Sequence, residues 1–483
     1  MKISTIGSVA AAAVFSSTVV RADSSSLPPI KVDGNAFFNS KNGQRFYIRG
    51  VDYQPGGSSK LQDPLADADN CKRDIPVFKD LGVNTIRVYS VDNSKDHSEC
   101  MEQLQDAGIY LVLDVNTPQA SLSRIDPKCS YNANYLQNVF ATIDAFAKYD
   151  NVLGFFAGNE VINDVNNTFT APYVKAVVRD MKKYMKARDY RAIPVGYSAA
   201  DISSNRELAA RYFNCGDDED ARIDMLGVND YSWCGHSSFE KSGYSSKVET
   251  YKNYSIPIFL SEFGCNQGVS DGRPFTEIGA IYSDKMSPVF SGGLVYEYSG
   301  EANGYGLVDI DGDSVSKNKD YQNLKDEYAA HSNPSGDGGY SSSNKHSDCP
   351  SYKKDVWEVN STIPEMPSAA SAYFKKGAGT PQGTKASTQN DCGSDVHVVQ
   401  AGGGDNSGKG EGDNSTSSSG GSTSKSSSSS TSSSHRSSSA SIATSIKGEA
   451  STKGKNNKSK GAGAALQVPF FFRAMAQFID LVL

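Results

Sequence analysis

The stretch Val152-Leu-Gly-Phe-Phe-Ala-Gly-Asn-Glu160 decides the reading of the fold. Its apolar run, Val152 to Ala157, is too short for an ordinary helix and carries β-branched and aromatic side chains, so it reads as a buried strand. On its N-terminal side lies Asn134 to Tyr149, where Leu136, Val139, Phe140, Ile143, Phe146 and Ala147 are spaced to form one helix face. On its C-terminal side, Pro172 to Arg188 carries a second apolar stripe of the same period.

Working outward, seven further runs alternate with helix-period stretches: Phe46 to Asp52, Thr85 to Ser90, Tyr110 to Val115, Ile193 to Tyr197, Met225 to Tyr231, Ile258 to Phe263 and Gly293 to Tyr298. Eight strand–helix units over roughly 300 residues close naturally into an α/β fold of the (β/α)8 TIM-barrel type. An open doubly wound sheet is the rival, and it carries a glycine-rich phosphate turn after its first strand. Here Asp52-Tyr-Gln-Pro-Gly-Gly57 follows instead, without that spacing.

Composition sorts the rest of the 483 residues. Residues 1–22 hold Lys2, an apolar stretch from Ile3 to Val20 and small residues before a cleavage point after Ala22, the pattern of a signal peptide. The barrel is expected over 23–333. Residues 334–400 pass through a Gly/Ser-rich hinge into Cys349 to Cys392, with Trp357, Tyr373 and Phe374; too small for a large core of their own, they read as an appendage packed on the barrel. Residues 401–460 are dominated by Ser, Gly, Thr and Lys and read as a disordered stalk. Residues 461–483 read as a GPI-attachment tail that is removed. Pro469, Arg473 and Asp480 interrupt that tail, and the two charges argue against a permanent membrane span.

Export puts Cys71, Cys100, Cys129, Cys215, Cys234, Cys265, Cys349 and Cys392 in an oxidising setting, where they are disulfide partners rather than metal ligands. His97, His236, His331, His346, His397 and His435 are scattered, with no pair at i and i+4, so neither a metal nor another cofactor is expected. Asn-x-Ser/Thr sequons at Asn166, Asn253, Asn360, Asn414 and Asn457 fit a glycosylated secretory chain. The net charge of -7 and the lack of a long basic run in the folded region exclude a nucleic-acid partner. A neutral polymer fits better, because the 25 tyrosines can cover the apolar faces of sugar rings and hydrogen-bond their hydroxyls.

Active sites of such barrels form at the C-terminal ends of the strands. The fourth run leads into Asn159 and Glu160, and the seventh, Ile258-Phe-Leu-Ser-Glu-Phe263, contains Glu262 near its end. Strands four and seven face each other across the mouth, which can bring the two carboxyls to the separation of about 5 Å that retaining glycosidases use. Glu262 is then the nucleophile, while Glu160 protonates the departing oxygen and later serves as base. That division needs a protonated Glu160 and an ionised Glu262 before bond cleavage. Asn159 suits a hydrogen bond to the sugar 2-hydroxyl, and Tyr231, ending the sixth run, suits orienting Glu262. A single strand-end glutamate is more often half of a surface ion pair, but two at facing strand ends reverse that reading.

These residues lie in Gly50-Val-Asp-Tyr-Gln54, Ile86-Arg-Val-Tyr-Ser90, Leu113-Asp-Val-Asn116, Gly158-Asn-Glu160, Asn229-Asp-Tyr-Ser-Trp-Cys234, Leu260-Ser-Glu-Phe-Gly-Cys265, Gly292-Gly-Leu-Val-Tyr296 and Tyr305-Gly-Leu-Val308. Together these stretches resemble the fungal β-1,3-glucanosyltransferases of glycoside hydrolase family 72, GPI-anchored wall-elongating enzymes, over Ile30 to His331. The resemblance implies Glu160 as acid/base and Glu262 as nucleophile. It places Gln54, Tyr89, Asp114, Asn159, Tyr231 and Tyr296 on the donor side and Tyr305 on the acceptor side. It also implies disulfides Cys71–Cys100, Cys215–Cys349 and Cys234–Cys265, leaving Cys129 and Cys392 unassigned. The chain has too few cysteines for the cysteine-rich carbohydrate-binding module of many relatives and looks like the subgroup without it. The implied reaction cleaves an internal β-1,3-glucan bond and passes the new reducing end to the non-reducing end of another chain. The expected setting is a monomer at the outer membrane face or in the wall. Hydrolase and transferase share the first step, so a retaining endo-β-1,3-glucanase is the second reading and a non-catalytic glucan-binding wall protein the third.

Overall fold

The computed structural model describes residues 27–57, 61–359 and 362–389. The expected signal peptide, stalk and anchor tail lie outside the described residues, as do Cys392 and the sequons at Asn360, Asn414 and Asn457.

Eight parallel strands close into a barrel: β1 (Ile48–Asp52), β2 (Thr85–Val88), β3 (Tyr110–Asp114), β4 (Val152–Asn159), β5 (Val195–Ala200), β6 (Met225–Asn229), β7 (Ile258–Phe263) and β8 (Phe290–Val295). Each pairs with its sequence neighbours, and β8 returns to β1. Around them run α1 (Ala68–Leu81), α2 (Ser98–Asp106), α3 (Ala133–Phe146), α4 (Ala171–Ala187), α5 (Arg206–Phe213), α6 (Tyr244–Tyr251), the single turn α7 (Ile278–Ile281) and α8 (Lys319–Ala330). Local chemistry sets the ends. Asn132 caps α3 by accepting from Tyr135 N at 2.9 Å, and Gly82 ends α1 in the left-handed conformation at φ 82°.

Because every barrel strand is covered on both sides, alternate residues enter two different cores. On β3, Tyr110 and Val112 join the barrel interior with Phe156, Met225, Phe259 and Leu294. Leu111 and Leu113 join the larger layer under the helices. A three-stranded antiparallel sheet, Ile30–Asp33, Ala36–Asn39 and Arg45–Phe46, adds to the interior core: Phe37 of this sheet meets Phe259 at 5.9 Å between ring centroids.

Several expected strand boundaries need correction: Ile193 to Tyr197 becomes Val195–Ala200, Met225 to Tyr231 stops at Asn229, Thr85 to Ser90 stops at Val88, and the strand from Val152 continues to Asn159. The run Phe46 to Asp52 is split, with Phe46 in the antiparallel sheet and Ile48–Asp52 in the barrel. The last strand starts at Phe290 rather than Gly293 and ends at Val295. Ser291, Gly292 and Gly293 hide its start from an apolar reading, yet the close pairing with β1 requires a glycine there. Gly292 has φ 90°, and a Cβ on it would stand 2.0 Å from Ile48 O.

Beyond α8, the described part of residues 334–389 packs along the helices as a strap. Cys215–Cys349 anchors it, and Trp357, fully buried, packs 5.6 Å from Tyr212. Farther along, Arg179 Nη1 donates to Pro364 O at 2.9 Å, Gln137 Nε2 to Ala378 O at 2.9 Å, and Gly383 N to Asn93 Oδ1 at 2.9 Å. Cys71–Cys100 links α1 to α2, and Cys234–Cys265 links the loops after β6 and β7. Cys129 is also disulfide-bonded.

Cys215–Cys349 spans 134 residues, so its loss should free a long loop in the unfolded chain. Replacing both cysteines by serine is expected to lower the unfolding free energy by about 2–5 kcal/mol, read by denaturant unfolding without reductant. A change within about 0.5 kcal/mol, the range of a surface substitution, would mean that Trp357 and the backbone hydrogen bonds hold the strap unaided.

Candidate active site

The site is built around a charge inside the barrel. Arg87 projects from β2 with no exposed surface, stacked 4.2 Å from the Tyr89 ring centroid and 5.0 Å from that of Phe156. Such a cation needs partners. Asp114, at the end of β3, takes Arg87 Nε at 3.0 Å and Nη2 at 2.9 Å in a two-pronged pair. The remaining nitrogen, Nη1, donates to Ser261 O and to Glu262 Oε1, both at 3.2 Å.

Glu262 is 8% exposed and is gripped from three directions. Besides Arg87, Tyr89 donates its hydroxyl to Oε1 at 2.9 Å and Tyr231 donates its hydroxyl to Oε2 at 2.8 Å. Every one of these groups is a donor, so each favours the carboxylate over the acid. Burial acts more strongly and raises Glu262 to about 7; Arg87 opposes that rise, the Glu160 charge adds to it, and Tyr231 and Tyr89 pull it back. Burial thus works against the ionised Glu262 that a nucleophile requires, and the three donors work for it.

Glu160 is held by its backbone rather than by a charge. It follows β4 in the left-handed region at φ 48°, a conformation that costs a non-glycine residue on the order of 1–3 kcal/mol. Its N donates to Ser198 O at 2.8 Å, and its O accepts from Arg124 Nε at 3.1 Å. Asn229, ending β6, donates Nδ2 to Glu160 Oε1 at 2.9 Å and to Asn159 Oδ1 at 3.1 Å. Its own Oδ1 is fixed by Ser198 Oγ at 3.0 Å and Ser261 Oγ at 2.8 Å. Asn159 thus uses its oxygen on the protein, and its NH2 is the end left to donate.

Other residues singled out from the sequence fall into two groups. Tyr89, Tyr231, Tyr296 and Tyr305 form a continuous set of edge-to-face rings, with centroids 6.4 Å apart for Tyr89–Tyr296, 6.3 Å for Tyr231–Tyr296, 5.6 Å for Tyr231–Tyr305 and 5.4 Å for Tyr296–Tyr305. Gln54 and Asp114, by contrast, stand behind this wall. Gln54 is 1% exposed; its Oε1 takes Tyr89 N and Ser90 N, and its Nε2 donates to Gln62 O at 2.7 Å. Asp114 spends both oxygens on Arg87. Asn166, in the segment after β4, and Asn253, between α6 and β7, are exposed.

Sequence reasoning assigned no role to Arg87, Asn229 or Asp52. The signal for Arg87 was an arginine inside the otherwise apolar run that begins at Thr85, with an aspartate closing the next run. Asp52 is fully buried, and neither carboxyl oxygen has a hydrogen-bond partner. Burial holds it well above the usual carboxylate range, Arg87 counteracts this, and Glu262, Asp114 and Glu297 add to the rise.

Two strand-end glutamates at a barrel mouth, one of them in an arginine–tyrosine cradle beside a wall of aromatic rings, make up the apparatus of an enzyme acting on glycosidic bonds. Residues 19–332 match the family model described as glucanosyltransferase, that of glycoside hydrolase family 72. The chain is 70% identical over 388 residues to the 1,3-beta-glucanosyltransferase GAS5 of Saccharomyces cerevisiae, covering 80% of each chain. It is 56% identical to the 1,3-beta-glucanosyltransferase gel1 of Aspergillus fumigatus, over 77% of this chain and 82% of that one. Among solved structures, a Glu-to-Gln mutant of Saccharomyces cerevisiae Gas2p in complex with laminaritetraose and laminaripentaose aligns with a TM-score of 0.66 at 43% identity, covering 71% of this chain and 76% of that one. The chain belongs to the glucanosyltransferase family, glycoside hydrolase family 72.

The cradle predicts a pH effect of definite sign. Tyr231→Phe removes a donor that lowers the Glu262 pKa, so that pKa rises and the ionised Glu262 appears only at higher pH. The acidic limb of kcat/KM is expected to move upward by about one pH unit, measured on a β-1,3-linked oligosaccharide. An unmoved or downward-shifted limb would show that Tyr231 does not stabilise the Glu262 anion.

Proposed function

We infer that this chain is a retaining β-1,3-glucanosyltransferase that cleaves an internal bond of one β-1,3-glucan and joins the new reducing end to the non-reducing end of another. The observation that carries the reading is the three-donor grip on Glu262, opposite Glu160 in a barrel of this family. A nucleophilic carboxylate must be aimed and kept from rotating, and donors on both oxygens do that.

In the first step Glu262 attacks the anomeric carbon, the glycosidic bond breaks, and the leaving oxygen takes its proton from Glu160. Asn229 donates to Glu160 Oε1, so Oε2 is the oxygen assigned to carry that proton. Asn159 donates its NH2 to the 2-hydroxyl of the donor sugar, and Tyr89, Tyr231 and Tyr296 line the donor side. In the second step the departed fragment gives way to an acceptor chain seated beside Tyr305. Glu160, now a carboxylate, removes a proton from the acceptor hydroxyl, which attacks the glycosyl-enzyme and frees Glu262. Two inversions leave the β configuration intact.

The proposed setting is extracellular. Residues 1–22 direct export, residues 461–483 direct GPI attachment at the membrane or wall, and Asn166 and Asn253 carry N-glycans. Support comes from three disulfides and from the exposure of both asparagines. No helix among the described residues is long and apolar enough to cross a membrane.

Mass spectrometry of products from a purified β-1,3-oligosaccharide tests the reading. The wild type is expected to make products longer than the substrate, with Glu160→Gln losing about 10²–10⁴-fold in rate and Glu262→Gln losing turnover altogether. Only shorter products would favour an endo-β-1,3-glucanase, and undiminished activity in either variant would remove that glutamate from its assigned role.

A further inference from the structure

Lys247 lies on α6 and is 3% exposed, yet neither step above uses it. An ammonium carries three N–H donors, and here each meets an acceptor: Asp230 Oδ2, Asp201 Oδ2 at 3.0 Å and Ser232 Oγ at 2.8 Å. Asp201 follows β5 and also pairs with Arg206 Nε at 2.8 Å, while Asp230 follows β6. The Tyr244 ring centroid stands 5.5 Å from Lys247 Nζ.

Asp230 spends its other oxygen on the chain just beyond it. Oδ1 accepts from Ser232 N at 2.8 Å and from Ser232 Oγ at 2.6 Å, and Asp230 N donates to Glu262 O at 2.8 Å. The residues on either side of Asp230 reach the two glutamates. Asn229 donates to Glu160 Oε1 at 2.9 Å, and Tyr231 donates to Glu262 Oε2 at 2.8 Å. One tripeptide thus touches both glutamates, and its middle side chain is the one tied to α6.

We propose that Lys247, acting through Asp230, is a positioning residue that holds Asn229 and Tyr231 against the two glutamates at once. This rests on the roles proposed above for Glu160 and Glu262. A buried charge is stable only with its acceptors in place, so the ammonium opposes shifts of Asp230 that a neutral side chain would permit. The other charged groups facing Asp230 are Asp201 and, from the segment between β7 and α7, Glu277.

The test compares the acidic limb of kcat/KM in the wild type and in variants at these positions. Disappearance of one β-1,3-linked oligosaccharide is followed, so that transfer and hydrolysis count alike. Asp230→Asn keeps the shape of the side chain and removes the charge that draws Lys247. If that charge acted on Glu262 only through space, its loss would favour the Glu262 carboxylate and move the limb down. If it acts by position, Tyr231 is loosened, Glu262 loses a donor and the limb moves up. An upward shift is expected, no larger than the shift of about one unit for Tyr231→Phe.

Lys247→Met is expected to move the limb the same way and to lower kcat by up to about 10²-fold, because Asn229 is loosened from Glu160 as well. Joined to Tyr231→Phe, it moves the limb no further than Tyr231→Phe does alone. A merely less stable enzyme would scale the rate alike at every pH and leave the limb in place. An Asp230→Asn limb that stays or moves down overturns the proposal, even if Lys247→Met fails to fold. Shifts of Lys247→Met and Tyr231→Phe that add in the double variant overturn it too, since independent sites are additive. Undiminished turnover by Glu262→Gln would instead sink the reading on which the proposal rests, and the proposal with it.

Discussion

A guanidinium buried inside a barrel is the constraint on which the catalytic mouth depends. Arg87 has no contact with solvent, and leaving such a charge without its partner costs about 3–5 kcal/mol. Asp114 meets that demand with two oxygens, which fixes the plane of the guanidinium and therefore the direction of its remaining nitrogen. Glu262 is aimed by that nitrogen. One arginine cannot neutralise all the acids nearby, and burial keeps Asp52, Glu262 and Glu297 above their ordinary titration range.

The two glutamates are secured by opposite means. Glu262 sits within β7, where the pairing with its neighbours shifts register, and is restrained by side chains from β2, the residue after it and the loop after β6. Glu160 sits on a strained residue after β4 and is restrained by peptide groups of β5 and by an asparagine of β6. The contrast suits their proposed tasks. A nucleophile needs a fixed aim on a carbon atom, so donors on both oxygens serve it. An acid/base must give and take a proton in turn, and fixing only one of its oxygens leaves the other available.

Much of the barrel was legible because strands buried on both faces write themselves as short apolar runs. The reading faltered where burial was achieved without apolar bulk. Ser291, Gly292 and Gly293 belong to a buried strand but are small, and Phe46 is apolar but belongs to another sheet. Glu160 and Glu262 stood out because each lies at the end of such a run. Arg87 did not, since its meaning depends on Asp114, 27 residues away, and Glu262, 175 residues away, and pairings of that range leave no local trace. Gln54 and Asp114 show the complementary limit: the resemblance marked them as belonging to the site, but only their hydrogen bonds place them behind its wall.

The ring order of the barrel also bears on when the protein becomes able to react. β8 pairs with β1, and Arg87 waits for a residue 175 positions further along the chain. At ribosomal rates of 5–20 residues per second, that separation corresponds to on the order of ten seconds of translation. For the later part of that interval the nascent chain has Glu160 and its strand but neither Glu262 nor a closed ring. On the role proposed for Glu262, a chain released before that residue has nothing to form the glycosyl-enzyme, and needs no separate inhibitor to keep it from attacking glucan.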